Sequence, residues 1–154
     1  MVAPEKLLTL ENPVFSAYLF YSCVLALKML SMSLLTAKAR FKKMVFANPE
    51  DAAMQPKKGK VKFDDPDVER VRRAHLNDLE NIPVFLIVAL VYLATDPNPV
   101  IAINIFRVFT AARIIHTITY AIVPLPQPSR ALAFGVGFIA TGYMAFQGLS
   151  KLTF

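Results

Sequence analysis

The chain has 154 residues, of which 55% are hydrophobic and 18% charged, with a net charge of +6 and a mean hydropathy of +0.46. A soluble domain carries about 25% charged residues, so this composition argues against an ordinary water-soluble domain and points to one membrane domain over residues 1–154. A single cysteine excludes an internal disulfide framework. The basic surplus, which elsewhere suits nucleic acid or acidic lipid, is gathered in one loop, so membrane orientation explains it and no nucleic-acid partner is expected.

Residues 14–36 form the first apolar segment, interrupted only by Lys28. Glu5, Lys6 and Glu11 break up the stretch before it, and the run is too long for the h-region of a signal peptide. Lys28 is expected to pair with an acid of a neighbouring helix, Glu80 lying at a plausible depth. Residues 37–65 read as a loop carrying Lys38, Arg40, Lys42, Lys43, Lys57, Lys58, Lys60 and Lys62. Within it, Asn48-Pro49-Glu50-Asp51 is the start signal of a short helix.

The second long helix is predicted over residues 66–95, opened by Asp65-Pro66-Asp67 with a capping acid and proline at the first helical position. Its apolar part, residues 82–95, makes only about 21 Å of helix, short of the roughly 30 Å of hydrocarbon in a bilayer. Asp96-Pro97-Asn98-Pro99 is a turn, so the missing length comes from residues 76–81. Asn77, Asp78 and Glu80 are thereby drawn to the membrane boundary, where ionisable groups normally face a bundle interior or a wet cavity. Pro83 is expected to kink the helix.

A third helix is predicted over residues 100–123 and a fourth over 131–149, joined by the stiff connector Val123-Pro124-Leu125-Pro126-Gln127-Pro128. Ser129 is the expected N-cap of the fourth helix, with Arg130 in its first turn. Gly135 and Gly142 form a small-residue stripe suited to helix packing. The fold class is therefore all-α, an integral membrane four-helix bundle. Because the basic residues concentrate in the 37–65 loop, the positive-inside rule places that loop and the 124–130 connector on the cytosolic side.

Helical spacing sorts the polar residues. At about 100° per residue, Arg73, Asn77 and Glu80 fall within roughly 60° of one another on the second helix, and Arg113, His116 and Tyr120 do the same on the third. Arg70 and Arg72 read as a solvated, salt-bridged helix start, a reading that stays open beside the membrane-boundary one for His75 and Asp78. Arg107 lies about 120° from the Arg113 face and reads as structural or interfacial. The two rows suit a small, multiply charged ligand, with guanidinium for carboxylates, Glu80 for an ammonium and Asn77 for amides. A cation at a helix N-terminus, where the dipole and free N–H groups already attract anions, makes Arg130 a strong anion site able to draw a thiol toward thiolate. No HExxH, histidine pair or GxSxG occurs, so no metal site is expected.

The motifs FANPEDA, DPDVERVRRAHLNDLENI, ARIIHTITY and PLPQPSRAL resemble those of the family of membrane-associated proteins in eicosanoid and glutathione metabolism. The similarity runs through nearly the whole chain in order, leaving out the residues before Asn12 and those around Met54–Lys62. It implies a homotrimer of four-helix subunits that binds glutathione between neighbours near the cytosolic side. The glutathione-binding positions it implies are Arg40, Arg73, Asn77, Glu80, Arg113, His116, Tyr120 and Arg130, with Arg130 stabilising the thiolate and Tyr120 adding a hydrogen bond to sulfur.

The implied activity is conjugation of glutathione to hydrophobic electrophiles, with peroxidase activity toward lipid hydroperoxides. The implied home is the endoplasmic reticulum membrane or the mitochondrial outer membrane, with the site toward the cytosol. Two alternatives on the same scaffold are a glutathione-dependent prostaglandin E synthase and a non-catalytic lipid-binding protein. Prostaglandin-isomerising members have a serine directly after the thiolate-stabilising arginine and a tyrosine shortly beyond; here these are Ala131 and Phe134, which favours conjugation. Ala52 stands where a mammalian member carries a cysteine linked to activation by thiol reagents.

Overall fold

A computed structural model describes residues 7–55 and 59–152; Glu5, Lys6, Lys57 and Lys58 lie outside the described residues. The elements in chain order are α1 (Pro13–Lys43), β1 (Val45–Phe46), α2 (Pro49–Ala53), β2 (Lys60–Val61), α3 (Pro66–Ala94), α4 (Pro99–Thr117) with a π-helical turn (Ile118–Ile122), and α5 (Ser129–Lys151). The helices α1, α3, α4 and α5 are long and apolar enough to cross a membrane.

Each of the first three long helices begins as its sequence dictates. The Asn12 and Asn98 side chains accept from Val14 N and Val100 N, and Asp65 accepts from Asp67 N and Val68 N, each followed by proline at the helix start. These acceptors satisfy N–H groups that have no partner inside the helix. The fourth start differs from expectation. Ser129 is not the cap but the first helical residue, and its hydroxyl donates to Pro126 O at 2.7 Å. The helix continues unbroken through Pro83.

The predicted loop is partly ordered. The first helix runs seven residues beyond position 36, about 10 Å further, and stops where Met44 adopts the left-handed conformation with φ 55°. Past it, β1 and β2 pair in parallel, Val45 with Lys60 and Phe46 with Val61, and the expected short helix α2 forms their crossover. Gly59 is required beside this pair, because a Cβ there would meet the Phe46 ring at 2.7 Å.

Two apolar layers hold the bundle. One gathers Leu25, Ile82, Phe85, Ala89, Leu93, Phe106, Phe109 and Met144, with Phe85 and Phe109 stacked at 3.7 Å between centroids. The other gathers Met32, Val71 and Ala74 against Tyr120 and Ala121. On α5 the close approach is made at Gly137, against Phe109, and at Gly148, against Val91. Gly135 and Gly142 have open space in front of them, so the expected stripe is not a packing seam within this subunit. Leu27, Leu34, Ile87, Ile139 and Phe146 are exposed, as suits helices bathed in lipid or covered by a neighbour. The single cysteine, Cys23, is also exposed on α1.

Candidate functional site

The site lies where the two apolar layers part. Along α3 the row Val71, Ala74, Asp78, Ile82, Phe85 and Ala89 is buried, and its only charged member, Asp78, has 0% exposure. Two cations meet it from other helices. The ammonium of Lys28 on α1 pairs with Asp78 Oδ2. Arg113 on α4, 1% exposed, donates to Asp78 Oδ1 through Nη2 at 2.6 Å and Nε at 3.2 Å. This sealed layer corrects one expectation, since Lys28 meets Asp78 rather than Glu80, and decides another, since Asp78 belongs to the bundle interior and not to the solvated helix start. Breaking a buried pair by removing one member costs about 3–5 kcal/mol, because the remaining charge is stranded.

Next to this layer opens a cavity of about 380 Å³, lined by Arg73, Leu76, Asn77, Glu80, His116, Tyr120, Arg130, Ala131 and Phe134. That volume falls within the roughly 300–1,000 Å³ usual for small-molecule sites. Helical spacing thus brings Arg73, Asn77 and Glu80 together with His116 and Tyr120, and α5 adds Arg130 from the far wall. Tyr120 sits in the π-helical turn, where Val123 N donates to Ile118 O at 2.8 Å, five residues back. Such turns widen a helix locally and recur at functional sites.

Tyr120 joins three helices. Its hydroxyl accepts from Arg73 Nε at 3.3 Å, its ring carries the Arg130 guanidinium 4.3 Å above the centroid, and the His116 ring meets it edge-on at 5.5 Å. Since the oxygen accepts from Arg73, the phenolic proton is free to be donated into the cavity.

Arg113 departs from its expected place. It does not line the cavity; its guanidinium is committed to Asp78 and, through Nη2 at 2.7 Å, to Asn77 Oδ1. Arg40 is elsewhere as well, lining a separate cavity of about 300 Å³ with Phe41, Phe46 and Asp51, and its Nη1 is buried without a partner among the described residues. Arg70 and Arg72 are paired along the surface of α3, with Asp67 at 3.2 Å and Glu69 at 2.7 Å. Arg107 donates to Tyr21 and to Asn104 near the surface. A second cavity of about 420 Å³ shares Arg73 and Leu76 with the first, and Arg72 and His75 line it.

The MAPEG family model matches residues 18–150. The chain belongs to that family. Microsomal glutathione S-transferase 1 of Homo sapiens is 49% identical over 93% of this chain and 94% of its own length. The protein of the same name from Bos taurus is 51% identical over the same shares. Prostaglandin E synthase of Equus caballus is more distant, at 39% identity over 94% of this chain and 93% of its own. Within this MAPEG chain, the two residues that depart from the isomerase pattern, Ala131 and Phe134, both line the cavity.

Proposed function

We propose that this MAPEG protein is a membrane-bound glutathione S-transferase. The observation that carries the reading is one cavity in which Arg73, Asn77 and Glu80 of α3 face His116 and Tyr120 of α4 and Arg130 of α5. Glutathione offers two carboxylates, an ammonium, two peptide groups and a thiol. Arg73 binds a carboxylate, Glu80 the ammonium, and Asn77 and His116 the peptide or carboxylate oxygens. Arg130, held over the Tyr120 ring, sets a positive charge where the sulfur comes to rest, and the Tyr120 hydroxyl donates to it. Both favour thiolate over thiol, and the thiolate is the nucleophile.

In conjugation the thiolate attacks an electrophilic carbon, a C–S bond forms, and the leaving group departs with its electron pair. In the peroxidase reaction the sulfur attacks the outer peroxide oxygen, the O–O bond breaks, and the alkoxide takes a proton to become the lipid alcohol. A second glutathione then converts the sulfenic acid to the disulfide and water. Hydrophobic substrates reach the site by partitioning into the bilayer. No metal is assigned a part in this chemistry.

The reading extends to assembly and placement. A homotrimer, with glutathione bound between neighbouring subunits and Arg40 supplied by the adjacent copy, is supported by the separate position of Arg40 and by the apolar side chains exposed on the long helices. Residence in the endoplasmic reticulum or mitochondrial outer membrane is supported by the likeness to microsomal relatives, and an orientation with residues 37–65 and the site toward the cytosol by the lysines around the end of α1. Ala131 and Phe134 supply no hydroxyl to the cavity, which disfavours the prostaglandin E synthase reading. The intact polar wall disfavours a non-catalytic lipid-binding role.

The test is the ultraviolet thiolate band of glutathione titrated with purified protein, followed by chlorodinitrobenzene conjugation and prostaglandin H conversion in the same preparation. We expect a band at neutral pH and conjugation without isomerisation. Absence of the band refutes the thiolate mechanism.

A further inference from the structure

Arg113 touches three groups: the Asp78 carboxylate, Asn77 Oδ1 at 2.7 Å and His116 Nδ1 at 3.5 Å. A guanidinium has five N–H donors and no acceptor, and the two hydrogens of Nη2 go to Asp78 Oδ1 and Asn77 Oδ1. For Asn77 this fixes the amide: Oδ1 is bound inward and the two Nδ2 hydrogens remain for other partners. Neither Nη2 hydrogen is left for His116, but a proton on its Nδ1, 3.5 Å away, would be turned toward the guanidinium charge, so the arrangement favours a bare Nδ1 with the hydrogen on Nε2. Both residues line the cavity. A ligand there therefore meets donors from Asn77 and His116, and the part of it that docks between them must be an acceptor.

What keeps Arg113 in place is the rest of the layer. Its Nη2 and Nε are both engaged by Asp78, whose other oxygen holds Lys28. The layer lies between apolar clusters that contain Leu25, Ile82 and Phe109 on one side and Met32 and Ala74 on the other. Such a charge, closed off from water, cannot swing into the cavity without breaking the pair with Asp78.

We infer that Arg113 is a positioning residue, locked by Asp78 and Lys28, that sets the donor polarity of the cavity through Asn77 and His116 and so selects a carboxylate or peptide carbonyl at that wall. Only the naming of the ligand as glutathione rests on the proposed function; the polarity itself rests on the three contacts.

Two measurements test this. The first is nitrogen NMR of the full-length protein labelled at histidine, without added glutathione. The chain has two histidines, so His75→Gln identifies the His116 signals. A protonated Nε2 with a bare Nδ1 at neutral pH is the expected result; a proton on Nδ1 overturns the inference, whatever glutathione does.

The second measurement is glutathione affinity in a cycle of variants. Asp78→Asn is expected to weaken binding about tenfold in the unsubstituted background and in Arg130→Ala, but less than threefold in Asn77→Ala, where one of its two outlets is already gone. An undiminished tenfold loss in Asn77→Ala overturns the route through Asn77. If Asp78→Asn does not fold, the NMR result on the intact protein decides the matter. Should the intact protein bind no glutathione, the proposed function fails while the tautomer still tests the polarity; glutathione binding with an Nδ1 proton does the reverse.

Discussion

Arg113 and Arg130 carry the same guanidinium to neighbouring parts of one bundle, yet they do opposite work. Arg113 is 1% exposed and held by a carboxylate that is itself fully buried. Arg130 has no carboxylate partner among the described residues; it rests on the face of an aromatic ring at the cavity wall. A guanidinium whose charge is matched by Asp78 has little left for a ligand, whereas Arg130, whose Nη2 and Nε donate to the neutral Gln127 amide at 2.6 and 3.3 Å, keeps most of its field. Asp78 and Asn77 make the same division one residue apart on α3, the first sealed inside and the second facing the cavity. The lesson is that the counter-ion, more than the cation, decides which arginine is scaffold and which is chemistry.

That division can be broken from either side. The largest effect is expected from Asp78→Ala, which strands Lys28 and Arg113 together; stability should fall by about 3–5 kcal/mol, read as a lowered thermal midpoint in detergent. Arg130→Ala should leave stability nearly unchanged and lower kcat by about 10²–10³, the range for loss of one preorganised donor to a developing anion, with KM for glutathione moving less than threefold. Equal losses in both parameters would instead mean that Arg130 binds glutathione uniformly and gives the thiolate no special help.

The pH profile sharpens the same point. A free thiol ionises near pH 8.5, and a nearby guanidinium lowers that value. Conjugation by the intact protein should therefore be already substantial at neutral pH. In Arg130→Ala the rising limb should move upward toward 8.5; stopped-flow rates across pH would show it. Smaller still, Glu80→Gln should weaken glutathione about tenfold by loss of the ammonium partner, with S-methylated glutathione affected equally because the sulfur is not involved. Least affected should be Arg72→Ala, since its pair with Glu69 lies on the surface of α3 and exposed pairs contribute little; binding within twofold of the parent is expected.

The four spans were legible because apolar length is a strong signal, and the start of α3 because Asp65 followed by proline leaves few alternatives; the same signal at Asn12 and Asn98 went unread. Spacing also placed Arg73, Asn77 and Glu80 opposite His116 and Tyr120. It left Asp78 open between the interior and the solvated helix start, although the residue stands four after Ala74 and four before Ile82, on the same buried row. Reading that row as strictly as the ligand-facing one would have found the acid, and with it the partner of Lys28. Arg113 was misplaced for a related reason. Periodicity gives the face of a helix but not how far a long side chain reaches, and Asp78 drew this one inward. The π-helical turn under Tyr120 and the β1–β2 pairing had no periodic signature at all, since both depend on contacts between distant segments. Gly135 and Gly142 make no close approach within the chain: a small residue marks a possible contact, and only a neighbouring helix decides whether one occurs.

Cys23, exposed on the apolar length of α1, gives the protein an unusually clean thiol background. No other cysteine exists in the chain, and Ala52 is packed away in α2. Any thiolate absorbance that appears with glutathione and survives Cys23→Ser therefore belongs to the ligand. Once Cys23 is replaced by serine, a single cysteine placed at will becomes an unambiguous attachment point for a spin or fluorescent label. Label-to-label distances in the bilayer then test the proposed homotrimer directly.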